Sequence, residues 1–304
     1  MGLHNYSHVI TKTVEELSER ASYQGLCHEH RDGVPFPSGE ALGELVSIAR
    51  SILFPGFYGK SILNTNTIRY HIGVATERLF ELVFEQILAG LCFDCDCNSG
   101  GKDEAGDLDH MREVAMLKAA EFIASLPALR AVLATDVHAA YLNDPAARSH
   151  AEVIFCYPGL RAICNYRLAH KLLELEVPII PRMITEMAHS ETGIDIHPGA
   201  RIGQSFMIDH GTGVVIGATA IIGNNVTLYQ GVTLGARNFP LDSDGNPIKE
   251  IARHPIIGDN VIIYSNATIL GRVHIGDGAT IGGNIWVTRD VAAGEKIVQS
   301  SPTR

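Results

Sequence analysis

The spacing of hydrophobic residues divides the chain into two parts with different periods. Up to about residue 187 the apolar residues recur with the period of an α-helix. In the segment SGEALGELVSIARSIL, for example, one apolar stripe begins at Leu42 and ends at Leu53, and Pro55 and Gly56 follow it as stop signals. The first part, residues 1–187, is therefore predicted to be an all-helical domain.

A polar segment, GGKDEAGD, interrupts the helical part. Such a break between two helix-period segments is typical of a connection rather than of a helix interior. We therefore predict a possible sub-boundary near residues 98–107. The second domain is predicted to span residues 188–304.

From about residue 193 aliphatic residues recur at every sixth position. Thirteen positions keep this spacing in three runs: Ile196, Ile202, Ile208; Ile216, Ile222, Leu228, Leu234; and Ile257, Ile263, Ile269, Ile275, Ile281, Val287. A six-residue period is the signature of a parallel β-helix, in which each hexad supplies one short strand and one turn. Because three hexads complete one triangular coil, thirteen hexads predict roughly four stacked coils.

Two interruptions of the six-residue register mark candidate functional segments. The step from Ile208 to Ile216 contains two extra residues in the segment DHGTGVV, and the long step from Leu234 to Ile257 forces residues 235–253 out as a loop. Segments that leave a rigid scaffold often contain binding or catalytic residues. The polar pair Asp209 and His210 is therefore predicted to lie at a bulge outside the hydrophobic column.

Composition narrows the classes of partner. The 304 residues carry a formal net charge of −10, which gives no basic field for nucleic acid or anionic lipid. No segment has the apolar length that crosses a bilayer. Six cysteines without an export signal favour a reducing compartment. We expect a cytoplasmic protein with no nucleic-acid or membrane partner.

The motifs of the second part resemble one enzyme family. The segment TGIDIHPGARIGQSFMIDHGTGVVIGATAIIGNNVTLYQGVTLGA, followed by RHPIIGDNVIIYSNATILG, resembles bacterial and plant serine O-acetyltransferases. The preceding YPGLRAICNYRLAHKLLEL resembles the helical segment that leads into that family's β-helix. The resemblance covers roughly residues 130–290 and implies an α+β fold with a left-handed β-helix. It also implies acetyl transfer from acetyl-CoA to the hydroxyl of L-serine, giving O-acetyl-L-serine for cysteine biosynthesis.

The resemblance carries implications for assembly. Family members form homotrimers with active sites between adjacent subunits, and in many members two trimers join through their helical domains. Acetyl-CoA is a co-substrate there, and no cofactor is bound permanently. Longer members end in a tail, often closing with isoleucine, that inserts into cysteine synthase. Because the sequence given ends at Arg304, we expect no stable complex with cysteine synthase by that route.

The resemblance assigns the acid–base chemistry to two residues. A serine hydroxyl is a weak acid, so a base must take its proton as it attacks a thioester. His210 matches the family's catalytic histidine, and Asp195 matches the carboxylate that orients the imidazole. Asp195 precedes His210 by a separation close to one coil, so we expect it to stack beneath His210. The alternative for His210 is a turn residue that fills the bulge.

Four further residues match positions that bind serine. Asp144 and Asp209 match carboxylates near the substrate ammonium group, whereas Arg253 and His254 match positions that grip the substrate carboxylate. The planar guanidinium of arginine suits a carboxylate. The alternatives are a helix-terminal turn for Asp144 and a solvated loop charge for Arg253.

The donor site is matched by small residues. Four residues match positions along the pantetheine arm of acetyl-CoA, namely Gly235, Ala236, Ser265 and Gly283. An equally good explanation for each is that a corner of the β-helix requires a small residue.

An alternative acceptor for the enzyme is a sugar or another amino alcohol. A non-catalytic assembly subunit is the alternative from another class.

No metal site is predicted, although two sets of residues could be compared with zinc ligands. Cys92, Cys95 and Cys97 form a C-x-x-C-x-C pattern, for which His110 or a partner chain could supply a fourth ligand, but reduced cysteines are the commoner explanation. Three other histidines invite comparison with zinc-binding carbonic anhydrases of the same fold, namely His189, His197 and His274. A closely spaced histidine pair is missing, and His197 is better explained as part of the turn after Asp195.

Overall fold

The computed structural model describes residues 4–28, 33, 35–59, 63–99, 106–238, 240–249 and 251–299. The helices in these ranges are α1 His4–Ser18, α2 Arg20–Tyr23, α3 Gly39–Leu53, α4 Ile68–Ser99, α5 Gly106–Asn143, α6 His150–Cys156, α7 Pro158–Glu174 and α8 Ile180–Thr192. The last helix extends to Thr192, past the boundary predicted at residue 187. Residues 100–105, which contain most of the predicted sub-boundary, lie outside the described ranges. In the described ranges no helix has the length and apolarity that a membrane span requires.

Short strands follow the helices. They are β1 Asp195–Ile196, β2 Arg201–Ile202, β3 Met207–Ile208, β4 Val215–Ile216, β5 Ile221–Ile222, β6 Thr227–Leu228, β7 Thr233–Gly235, β8 Ile256–Ile257, β9 Ile262–Ile263, β10 Thr268–Leu270, β11 His274–Ile275, β12 Thr280–Ile281, β13 Trp286–Val287 and β14 Lys296–Ile297. They form three parallel sheets: sheet 1 (β1-β4-β7-β10-β13), sheet 2 (β2-β5-β8-β11) and sheet 3 (β3-β6-β9-β12-β14). The chain visits the sheets in rotation, which makes a parallel β-helix and agrees with the predicted fold class.

The predicted aliphatic column fills the β-helix. Twelve of the thirteen hexad residues are at most 3% exposed, and Ile202 is partly buried against the same core. A second set of inward residues stands two positions before the first, with Phe206, Val226 and Val261 each 0% exposed. Since each strand is so short, the coils are stable only when stacked on one another.

The strand register reveals where the coils depart from three hexads. A regular coil spans three hexads, as from Ile256 to His274. The first coil, from Asp195 to Val215, is longer because the bulge contributes two extra residues. A later coil, from Ile221 to Ile256, is longer still because it contains the loop 235–253. Both predicted interruptions are therefore confirmed.

A buried ion pair joins the helices to the first coil. Arg167 of α7 donates from Nε and Nη2 to the Asp136 carboxylate of α5, at 2.6 and 2.9 Å. The same carboxylate accepts the backbone N–H of Phe206 at 2.9 Å, and Arg167 Nη2 also reaches the carbonyl of Gly203 at 2.7 Å. Because every partner is hydrogen-bonded, this pair fixes α5 and α7 against the β-helix.

Candidate active site

One corner of the prism carries the bulge. We call it the His210 corner; it comprises the two residues that follow each of four sheet 3 strands: Asp209-His210, Tyr229-Gln230, Tyr264-Ser265 and Gly282-Gly283. Backbone bonds stack these pairs, since Asp209 N–H donates to Leu228 O at 2.9 Å and Tyr229 N–H donates to Ile263 O at 3.0 Å. The corner thus brings together four of the predicted site residues: Asp209, His210, Ser265 and Gly283.

His210 lies outside the hydrophobic column, as predicted. Its φ of 57° is in the left-handed region, and its side chain is 72% exposed. Its Nε2 lies 3.7 Å from Oδ2 of Asp209, whose side chain is 17% exposed. The ring is therefore accessible to a substrate and has a carboxylate beside it.

The strand register pairs Asp195 with Val215 rather than placing it directly beneath His210, so a contact between the Asp195 and His210 side chains stays a prediction. The lengthened first coil places Asp195 opposite Val215, whereas His210 lies in the corner that precedes Val215. In the described ranges of one chain, no hydrogen bond or ion pair joins Asp195 to His210. The neighbours of Asp195 do contact the bulge, because Gly213 N–H donates to Gly193 O at 2.8 Å.

Asp144 lies near the His210 corner. Helix α5 ends at Asn143, because the residue before a proline, here Asp144, disfavours the helical conformation. The Asp144 carboxylate accepts the N–H of Ala146 at 2.8 Å and the hydroxyl of Tyr157. The Tyr157 hydroxyl, the Ala146 N–H and the nearby His210 together lower the pKa of Asp144, in that order of importance. Asp144 is thus an ionised carboxylate near His210.

Two tyrosines at this site were not predicted. Burial, the hydrogen bond to Asp144 and the charge of Asp209 raise the pKa of Tyr157, so its phenol stays protonated. Burial and the charges of Asp209 and Asp144 likewise raise the pKa of Tyr229, whose ring stacks on Tyr264 with centroids 5.1 Å apart. The hexad register could have located Tyr229, since it directly follows an aliphatic position of sheet 3. No comparable signal links Tyr157 to Asp144.

A second corner, which we call the His254 corner, lies at the other edge of sheet 1. It comprises the turns that follow β1, β4 and β7, together with the end of the loop: His197, Gly217–Thr219, Gly235–Arg237 and Arg253-His254. His254 is only 7% exposed because its ring packs over Gly217, where an added Cβ would lie 1.9 Å from the ring. The four predicted residues at this corner are Gly235, Ala236, Arg253 and His254.

The electrostatics of the His254 corner keep its histidines neutral. Burial lowers the pKa of His254 to about 4, and the charges of Arg253, His197 and Arg272 act in the same direction. Burial also lowers the pKa of His197, whose Nδ1 accepts the N–H of Gly199 at 3.0 Å. That bond confirms His197 as part of the turn after Asp195.

The predicted residues therefore fall into two groups on one chain. The His210 corner and Asp144 form the first group, the His254 corner forms the second, and Asp195 lies on sheet 1 between them. Along the chain, the His210 corner precedes a strand of sheet 1 and the His254 corner follows a strand of sheet 1. The two groups are therefore separated by the width of sheet 1. A single chain thus presents two groups of predicted site residues along different edges of the prism.

Other polar groups lie near these two groups of residues. A cavity of about 330 Å³ between the loop and β10–β11 is lined by Arg237, Arg253 and Arg272, which suits an anion. Glu186, His189 and Asp195 bring one ligand atom each to within 4.8 Å of one another, but Arg182 already pairs with Glu186.

The predicted cysteine pattern lies on helix α4. Cys92 is buried and contacts Met111, with the two sulfur atoms 3.8 Å apart. The side chains of Cys95 and Cys97 lie outside the described part of the chain. His110 is exposed on α5, and His274 is exposed on β11.

Comparisons with known proteins identify relatives of this chain. The family model for the bacterial transferase hexapeptide (six repeats) matches residues 254–284. A plasmid serine acetyltransferase of Synechococcus elongatus is 49% identical over 266 residues, which cover 88% of this chain and 82% of that protein. The serine acetyltransferase of Bacillus licheniformis is 48% identical over 160 residues, or 53% of this chain and 70% of the relative.

Solved structures agree with the sequence relatives. Serine acetyltransferase 1 of Entamoeba histolytica in complex with L-cysteine superposes with a TM-score of 0.71 at 33% identity, covering 94% of each chain. Soybean serine acetyltransferase complexed with serine superposes with a TM-score of 0.54 at 28% identity, covering 88% of this chain and 97% of that one. Since nearly half of the residues are shared over most of both lengths with the Synechococcus protein, the chain belongs to the serine acetyltransferase family.

Proposed function

We propose that the protein transfers the acetyl group of acetyl-CoA to the hydroxyl of L-serine, giving O-acetyl-L-serine and CoA. The observation that carries this proposal is the exposed His210 imidazole beside Asp209 and Asp144 in a member of this family. Two carboxylates suit an ammonium group, and an adjacent imidazole suits removal of a hydroxyl proton. The relatives solved with serine and with L-cysteine support an amino-acid ligand.

The proposed reaction uses His210 as general base and then as general acid. The imidazole takes the hydroxyl proton of serine as the oxygen attacks the thioester carbonyl. The tetrahedral intermediate then breaks its carbon–sulfur bond, and the departing thiolate takes the proton back from the imidazolium. Asp209 and Asp144 hold the serine ammonium group, and Tyr157 fixes the orientation of Asp144 through its hydroxyl.

Asp195 keeps its proposed role as the carboxylate that orients the base. In the described ranges of one chain no hydrogen bond or ion pair joins it to His210, but its neighbour Ile194 lies against Gly211, where an added Cβ would come within 2.4 Å of Ile194 Cδ1. The strand that begins with Asp195 is thus in contact with the bulge. A carboxylate that holds an imidazole in one tautomer acts through that ring and need not touch the substrate.

We further propose that the active site forms between two subunits of a homotrimer. Arg253 and His254 would grip the serine carboxylate from the subunit next to the one that supplies His210, because one chain places them at a different corner. The donor residues divide in the same way, with Ser265 and Gly283 at the His210 corner and Gly235 and Ala236 at the His254 corner. The acetyl-CoA arm would then run in the groove between neighbouring prisms.

An acceptor series tests the function. The purified protein is offered acetyl-CoA with L-serine, homoserine or a sugar, and release of the CoA thiol is followed together with the mass of the product. We expect kcat/KM for L-serine to exceed that for the sugar by at least about tenfold, since two carboxylates and an arginine match both ends of an amino acid. Homoserine has the same two ends, and we expect it to be about tenfold poorer because its extra methylene moves the hydroxyl away from the base. A preference for the sugar would replace the serine assignment, and no turnover with any acceptor would leave an assembly role.

A further inference from the structure

The side chain of Thr219 connects three groups at the His254 corner. Its Oγ1 accepts the backbone N–H of Arg253 at 2.9 Å and that of His254 at 3.2 Å. The same oxygen lies 2.8 Å from Nδ1 of the His254 ring. The backbone N–H of Thr219 donates to that ring nitrogen as well, at 3.1 Å. Thr219 therefore holds both the backbone and the ring of a proposed substrate-binding residue.

These contacts determine which nitrogen of His254 carries the proton. A backbone N–H can only donate, so Nδ1 must be an acceptor. The lone pairs of the Thr219 hydroxyl are occupied by the two N–H groups, and its own hydrogen is therefore directed at Nδ1 as well. The proton of the neutral ring is thus on Nε2, which makes that end of the ring a hydrogen-bond donor.

The surroundings of His254 oppose a second proton. The charged or titratable groups that face the ring are Arg253 in its own segment, His197 in the turn after β1 and Arg272 after β10. Arg272 Nη1 also donates to the carbonyls of Thr219 and His254, at 2.7 and 2.9 Å. Burial lowers the pKa of His254 to about 4, and these groups act in the same direction, so the ring is neutral at neutral pH.

We propose that Thr219 is a positioning residue that fixes His254 as a neutral Nε2–H donor toward the carboxylate of the acceptor amino acid. The inference rests on the substrate-binding role proposed for His254. Were the ring to carry its proton on Nδ1, the Nε2 lone pair would face the acceptor carboxylate and repel it. The hydroxyl of Thr219 therefore acts together with its backbone N–H to favour the tautomer that attracts an anion at this end of the site, and it also holds the backbone of Arg253 and His254 in place.

The test compares Thr219→Val, which keeps the shape but loses the hydroxyl, with Thr219→Ser, which keeps the hydroxyl. For Thr219→Val we expect the KM for L-serine to rise about tenfold, as for a lost hydrogen bond to a charged group, while the KM for acetyl-CoA stays within about twofold. Thr219→Ser should restore the KM for L-serine to within about threefold of the parent. Equal KM values for the valine and serine variants, or parallel changes in both KM values, would overturn the proposal.

A direct measurement separates this inference from the function it rests on. In ¹⁵N-histidine NMR of the full-length parent, the His254 ring should carry its proton on Nε2 and titrate near pH 4. A proton on Nδ1, or titration near the ordinary value, would overturn the inference without reference to any variant. If His254→Ala leaves the KM for L-serine unchanged, the binding role of His254 fails. If His254→Ala raises that KM and Thr219→Val does not, only the role of Thr219 fails.

Discussion

His210 occupies a backbone conformation that the β-helix elsewhere gives mostly to asparagine. Among the described residues between β1 and β14, six other than glycine have positive φ, and four of them are asparagine: Asn225, Asn260, Asn266 and Asn284. Asparagine tolerates the left-handed region better than most residues. At the bulge a histidine stands in that conformation instead, so the corner accepts some backbone strain in order to present an imidazole.

The substitution His210→Asn separates the chemistry of the ring from the conformation of the corner. We expect kcat to fall about 10²–10⁴-fold, because the general base is lost, while the thermal midpoint stays close to that of the parent. His210→Ala should lose the same activity and also some stability, because alanine is disfavoured at positive φ. Steady-state kinetics and thermal unfolding measure both. Turnover of the asparagine variant within a few-fold of the parent would exclude His210 as the base.

Whether a site residue could be predicted depended on how far along the sequence its bonding partner lies. Asp209 and His210 could be predicted because the bulge is visible as a break in a six-residue count. Tyr157 and Thr219 could not, since Tyr157 bonds a carboxylate 13 residues away and Thr219 bonds a histidine 35 residues away. Contacts at such separations exist only after α7 has docked and the loop has returned to its corner.

Helix α7 is the element that brings the helical domain to the site. It begins at Pro158, and Gly159 packs so closely on β3 that an added Cβ would lie 2.2 Å from Ile208 O. This close approach sets Tyr157, the residue before the helix, next to Asp144. The position of one glycine thus determines the distance between the tyrosine and the bulge.

We expect Gly159→Ala to push α7 away from β3. The clash is with backbone, so we predict a loss of about 1–3 kcal/mol in the free energy of unfolding and a higher KM for L-serine. Gly73→Ala is the matched control, because Gly73 lies in α4 with open space around it and alanine favours a helix by up to about 1 kcal/mol. Urea unfolding and serine kinetics compare the two. A Gly159→Ala variant as stable as Gly73→Ala would contradict the close packing.

At the scale of elements, the six-residue period predicted the strands, the column and the loop, but it did not give the strand register of Asp195. The expected position of Asp195 assumed that its separation from His210 comes close to one coil. The bulge lengthens the first coil, so Asp195 meets Val215 rather than His210. The bulge that exposes His210 thus also shifts the register of its proposed partner by the two extra residues.

The whole molecule carries the two groups of predicted site residues on different edges, and this leads to a test of the proposed assembly. His210→Ala and the double variant Arg253→Ala/His254→Ala should each be inactive or weak, and we expect their equal co-assembly to restore about a quarter of the parent activity. In a cyclic trimer with shared sites, an interface is active when one subunit supplies His210 and its neighbour supplies Arg253 and His254. Random mixing of equal amounts produces this pairing at about a quarter of the interfaces. The variants mixed without subunit exchange are the control. If each site lay within one chain, no activity would return.

The loop 235–253 leaves the β-helix between two strands of different sheets, and strands before it pair directly with strands after it. Thr233 pairs with Thr268, Ile221 with Ile256 and Thr227 with Ile262, so one ladder in each sheet crosses the insertion. Cohesion across this point comes from those ladders and from the continuous column, and the covalent connection adds only a tether. A chain nicked within residues 240–249 would consequently remain one folded body made of two polypeptides.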